Sequence, residues 1–185
     1  MKLLFVTSNR PASRLIRWGL KSDCSHFAVC FDEQAKGSGI VFHSAFGGAT
    51  LEWFGTFKQH NHLVHALQFK SPMNLQDEES VYQGMLSTYS GQGYDRWAFG
   101  FWFIRAAMRR FFGMALPPKN SWAKAGFNLC TGMAAGIKWI KVWADENKID
   151  LEMIAPHDLK DRLVATGYFY DDRVWCDLQN TNECQ

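Results

Sequence analysis

The chain has 185 residues, 47% of them hydrophobic and 15% aromatic, with eight Trp and fifteen Phe. That suits one globular domain with a sizeable core and excludes a disordered chain. A net charge of +2 and a pI near 8.3, with no Lys/Arg run longer than two residues, give nucleic-acid binding no electrostatic support.

Residues 2–7 read as a short buried strand, an apolar run too short for a signal peptide. Ser8-Asn9-Arg10-Pro11 then turns the chain into a helix over 12–20, with Leu15, Ile16 and Trp18–Leu20 as its apolar surface. Ser25-His26-Phe27-Ala28-Val29-Cys30-Phe31 is nearly continuously apolar and reads as a central strand buried on both faces. After a loop, Ile40–Phe46 forms a second strand, ended by Gly47-Gly48. An antiparallel hairpin places His43 opposite His26 or within a residue or two of it. The register, and so the face each side chain takes, stays open.

A third short strand is expected over Ala49–Phe54. His62–Phe69 alternates as another, with Leu63, His65 and Leu67 on one face and Val64, Ala66 and Gln68 on the other. Asn74 precedes a helix over about 75–90, started by Asp77, Glu78 and Glu79, and Gly91–Asp95 reads as a turn. Residues 97–112 read as a core helix, apolar all round from Trp97 to Ile104, with Arg105, Arg109 and Arg110 charging its outer end. A membrane-surface helix is the minority reading.

Asn128 is placed to cap the next helix, which puts Cys130, Met133, Ala134, Ile137, Ile140 and Ala144 on one face and Lys138, Lys141 and Asp145 opposite. Pro156-His157-Asp158-Leu159 starts a last helix to about 165, and a strand fits 168–175. No stretch approaches 18 uncharged apolar residues, so the expectation is a cytoplasmic chain without a spanning helix. An early antiparallel sheet followed by helices predicts a single α+β domain over 1–176 and a polar, loose tail over 177–185.

Cys130 in the first turn of a helix gains from unpaired N–H groups and the helix dipole, an environment that lowers a thiol's pKa. Thiol catalysis also needs an imidazole to exchange the proton and a group to orient that imidazole. His26, at the entrance to a buried strand, and His43, on the neighbouring strand, supply those roles. Cys24 lies two residues before His26 with no dipole support, and Cys30 lies mid-strand. Cys176 and Cys184 are remote from any second motif. An odd cysteine count without a Cys-x-x-Cys pair argues against a disulfide framework and a usual zinc site. His60, His62 and His65 lack a clear third or fourth ligand partner. A zinc site built from His26, His43 and Cys130 is the chemical rival of the thiol reading. The expectation is no cofactor and no metal.

Ser25-His26-Phe27-Ala28-Val29, then Ile40-Val41-Phe42-His43-Ser44-Ala45, then Asn128-Leu129-Cys130-Thr131 resembles the circularly permuted papain-like (NlpC-type) superfamily. That group includes bacterial and viral cysteine hydrolases and the lecithin:retinol acyltransferase-like enzymes. The resemblance spans roughly 20–165. It implies a permuted papain-like fold with His26 as base, His43 as the third polar residue and Cys130 as nucleophile. Gly93-Tyr94-Asp95 and Pro156–Leu159 resemble secondary features of permuted members. Two departures, a longer loop between the histidine strands and no C-terminal membrane helix, weigh against an acyltransferase role. The resemblance thus implies a hydrolase of a peptide, isopeptide or peptidoglycan amide through a thioester. The alternatives are a lipid acyltransferase or deacylase, and a catalytically silent binding or virion protein.

Overall fold

The computed structural model describes residues 1–31, 39–45, 47–71, 73–94, 96–113, 127–128 and 130–181. In chain order the first half runs β1 (Lys2–Thr7), α1 (Pro11–Leu20), β2 (His26–Phe31), β3 (Ile40–Ala45), β4 (Gly48–Trp53), α2 (Phe54–His60), β5 (His62–Phe69) and α3 (Leu75–Tyr89). The second half runs β6 (Gly93–Tyr94), α4 (Arg96–Phe112), β7 (Phe127–Asn128), a 3-10 helix (Gly132–Gly136), α5 (Lys138–Glu146), α6 (Pro156–Ala165), β8 (Phe169–Asp171) and α7 (Arg173–Thr181). Six strands form one antiparallel sheet in the order β4-β3-β2-β1-β5-β8, and β6 pairs with β7 in parallel. The α+β class expected from the sequence is the class observed.

Alternate residues of a strand point to opposite faces, so the continuous apolar runs of β1 and β2 feed two cores. On one face Leu3, Phe5, Phe27, Val29 and Phe42 pack against α3, the 3-10 helix, α5 and α6. On the other, Leu4, Val6, Ala28 and Val41 pack against Phe54 and Phe57 of α2 and Cys176 of α7. A smaller cluster of Phe101, Met153 and Ala155, with Ile16 and Leu20 against it, joins α1 to α4.

Several expectations are corrected. The register of β5 against β1 slips between Phe5 and Val6, so Val64 is an extra, bulged residue. Leu63 and Leu67 therefore face opposite cores, and the simple alternation fails. Gly93 and Tyr94 form a strand rather than a turn. Helix α4 exists, but Ile104, Phe111 and Phe112 at its outer end are exposed. The strand expected over 168–175 stops at Asp171, because the chain turns into α7. Residues 177–181, expected in a loose tail, continue that helix. Asn180 Nδ2 donates to the Leu63 carbonyl at 2.9 Å and its Oδ1 accepts the Leu63 N–H at 3.2 Å. Residues 182–185, including Cys184, lie outside the described residues.

Candidate active site

β2 opens at His26, and β3 pairs with it so that His43 lies opposite Ala28. The two histidines therefore fall two residues apart along the hairpin and on one face, within the neighbourhood expected. Their rings meet edge-on, with His26 Nε2 3.1 Å from His43 Nδ1. β4 extends the row: Thr50 lies opposite His43, and Glu52 is its diagonal cross-strand neighbour. Glu52 Oε1 stands 2.7 Å from His43 Nε2, near enough for an ion pair though out of line for a hydrogen bond. Phe57 of α2 closes over His43, ring centres 5.2 Å apart. The sequence reading missed Glu52. Only the β3–β4 register, set at Gly48, brings it beside His43.

A chain of hydroxyls fixes where β2 begins. Ser25 Oγ is 2.6 Å from Ser13 Oγ, which accepts the Ser8 N–H at 3.0 Å and lies 3.2 Å from Thr7 Oγ1. These contacts pin α1, β1 and β2 together beside His26. Burial drops His26 to about 3, with the neighbouring His43 and the Arg10 charge pushing the same way. Burial also lowers His43, against an upward pull from Glu52. Both rings are thus neutral near pH 7, and His26 Nδ1 is left without a hydrogen bond among the described residues.

Cys130 differs from expectation. Asn128 does not cap a helix; it lies in β7 and pairs with Tyr94. Cys130 occupies a turn ahead of the 3-10 helix, and α5 begins only at Lys138. Two glycines, poor α-helix formers, bracket that tight segment. Gly136 also lets α3 approach, since a Cβ there would lie 2.8 Å from Tyr89 Cε2 and 2.9 Å from Met85 Cγ. The apolar stripe survives the break: Cys130, Met133, Ala134, Ile137, Ile140 and Ala144 are all buried.

A five-residue 3-10 segment offers little dipole, so desolvation wins. Burial pushes the Cys130 thiol up to about 11, while the Phe27 and Thr131 backbone N–H groups pull it down and the Glu152 carboxylate pushes it up. The lowered thiol pKa expected from the sequence is reversed in this resting state. The thiol meets the sheet at the backbone N–H of Phe27, the residue after His26. It belongs to the core under α3 and α5, whereas His43 packs with Phe57 on the other side. Among the described residues, no hydrogen bond joins Cys130 Sγ to either imidazole. The structure brings His26 and His43 together, and the Cys130 thiol under the influence of the Phe27 N–H of β2.

The rival thiols are less accessible. Burial raises Cys24 and Cys176 to about 12, and Cys30 lies inside β2. At 9% exposure, Cys130 is the most open of the four described. The three other histidines of interest do not converge. His60 ends α2, His62 opens β5, and His65 is fully buried between Asp171 (2.7 Å to Nδ1) and Asp23 (2.9 Å to Nε2).

No family model matches the chain, and no curated protein matches its sequence. A solved structure shares the fold: metalloprotein yiiX from Escherichia coli O157:H7, of DUF1105, superposes with a TM-score of 0.51. The match covers 92% of this chain and 93% of that one at 14% identity, so it speaks for the fold alone.

Proposed function

We propose that the protein is a thiol hydrolase of the permuted papain-like fold, cleaving an amide bond in a peptide, isopeptide or peptidoglycan substrate. The observation that carries this reading is the row Glu52–His43–His26, in which, among the described residues, His26 Nδ1 has no hydrogen bond, while the backbone N–H of the next residue, Phe27, acts on the Cys130 thiol. Cys130 Sγ attacks the carbonyl carbon as His26 takes the thiol proton. His26 then returns that proton to the leaving amine, and water resolves the thioester. His43 holds the His26 tautomer, and Glu52 holds His43. A neutral thiol beside a neutral imidazole is a quiet resting state. Attack requires the His26 ring to turn Nδ1 toward Sγ, a tightening that substrate binding supplies.

Incubation with a panel of peptide vinyl sulfones, followed by peptide mapping, tests the reading. Modification confined to Cys130 is expected. Labelling spread over all the cysteines, or none in any member of the panel, removes its basis.

A second reading rests on the same distance. Two imidazole nitrogens on one zinc ion, at about 2.0–2.1 Å each, stand roughly 3.3 Å apart. That is close to the 3.1 Å between His26 and His43, and Glu52 has the place of a carboxylate behind a metal-bound ring. The E. coli protein is described as a metalloprotein. Among the described residues, however, no group of three His, Cys, Asp or Glu is arranged to hold an ion, so the donor set stops at two. Elemental analysis separates the readings, because stoichiometric metal lost in His43→Ala would select the second.

A further inference from the structure

The chain's charge is unevenly placed. Residues 10–21, which form α1 and its flanks, hold Arg10, Arg14, Arg17 and Lys21 and no acidic residue. Helix α4 holds Arg96, Arg105, Arg109 and Arg110 and again none. These two segments thus carry eight of the twenty basic residues and none of the eighteen acidic ones. The two helices touch. Trp18 and Phe111 rings lie 5.6 Å apart, and Arg110 sits 4.8 Å over the Trp18 ring while its Nη1 donates to the Trp18 carbonyl at 3.0 Å.

Each helix divides its apolar residues between two sides. Ile16 and Leu20 of α1, with Phe101 and Phe103 of α4, pack inward around Met153 and Ala155. Leu15 and Trp18 are exposed on α1, and Ile104, Phe111 and Phe112 on α4. The spacing of Ile104, Phe111 and Phe112 sets them on one helical stripe. Phe112 is 69% exposed and Trp18 49%, a large exposed aromatic area on two helices that hold no acidic residue.

We infer that the α1/α4 face docks on an anionic phospholipid surface, with Trp18, Phe111 and Phe112 entering the headgroup layer and the flanking arginines meeting lipid phosphates. Charge complementarity selects this occupant. Two touching helices rich in basic and exposed aromatic residues suit a negative interface, whereas a second copy would set its arginines against their own kind. The helices lie in the surface, consistent with the absence, among the described residues, of a helix long and apolar enough to cross a membrane. The inference does not depend on the thiol chemistry.

Vesicle co-sedimentation tests it, comparing phosphatidylcholine alone with phosphatidylcholine containing phosphatidylserine. Binding at least about tenfold tighter to the anionic vesicles, weakened at high salt, is expected. The double substitution Phe111→Ser with Phe112→Ser, and separately Arg14→Glu, should each cut that binding about tenfold with the thermal midpoint unchanged. A control pair on α7, Val174→Ser with Leu178→Ser, changes equally exposed residues and should leave binding intact. Failure to sediment, equal binding to both vesicle types, or insensitivity to the α4 substitutions overturns the inference. So does a sedimentation-velocity dimer that the same α4 substitutions dissociate, which would make the face a contact between copies.

Discussion

Two buried histidine sites share this sheet, and their partners set them apart. His65 has a carboxylate at each ring nitrogen, Asp171 and Asp23, and Arg173 Nη2 lies 3.2 Å from its Nδ1. Every polar atom of that ring is occupied, so it ties the loop before β2 and strand β8 onto β5. In the His26–His43 pair, among the described residues, Glu52 is the one carboxylate at hand and His26 Nδ1 has no hydrogen bond. A saturated ring holds structure; an unsaturated, neutral ring keeps a lone pair that a substrate or a thiol proton can meet. His65 and His43 are both buried while His26 is half-buried at its strand end, so the partner set separates the two sites more sharply than burial does.

The largest effect should come from breaking the saturated site. His65→Ala is expected to cost about 3 kcal/mol, measured by urea denaturation, because it removes the buried ring that bridges Asp171 and Asp23, leaves Asp171 with Arg173 alone and opens a void. His26→Ala should cost about 1 kcal/mol or less. Equal costs would erase the distinction. Next in size, Gly136→Ala should lose about 2 kcal/mol, since its new methyl meets Tyr89 and Met85 at 2.8–2.9 Å.

The pH dependence sharpens the contrast further. Above 6.5 the His26 ring is neutral in both the folded and unfolded chain. Between 6.5 and 3 the unfolded chain takes up a proton that folded His26 refuses, so stability falls as pH falls through that window. Asp23 acts in the same direction at lower pH: burial raises it, but His65 holds it below its ordinary 3.8. Denaturation at pH 7 and pH 4.5 should show the fall, and His26→Gln should flatten it. An unchanged slope in that variant would contradict a neutral His26. The smallest effect concerns Glu52. Glu52→Gln should slow covalent labelling of Cys130 by about tenfold with little change in stability. No change in rate would remove Glu52 from the row.

The sequence carried most of the strands and helices and the hairpin that pairs His26 with His43, because apolar runs and turn residues are local signals, but not the order of the strands in the sheet. The helix start after Asn74 was legible, and Asn74 Oδ1 accepts the Asp77 N–H at 2.8 Å. What stayed hidden depends on register or on contact between distant segments. The Val64 bulge redirects Leu63, and Glu52 reaches His43 only through the register of the β3–β4 pair. The pair Gly132 and Gly136 breaks a helix that periodicity alone draws as continuous through Cys130. The buried stripe was right and its backbone was wrong, and with it the sign of the Cys130 pKa shift.

The central claim is that His26 serves Cys130 as its base. It is tested by the rate at which a reactive peptide vinyl sulfone modifies Cys130 in the native protein and in His26→Ala. A loss of about 100-fold or more in the variant, with iodoacetamide slow in both proteins near pH 7, is the predicted result. Equal vinyl-sulfone rates in the two proteins would contradict the account.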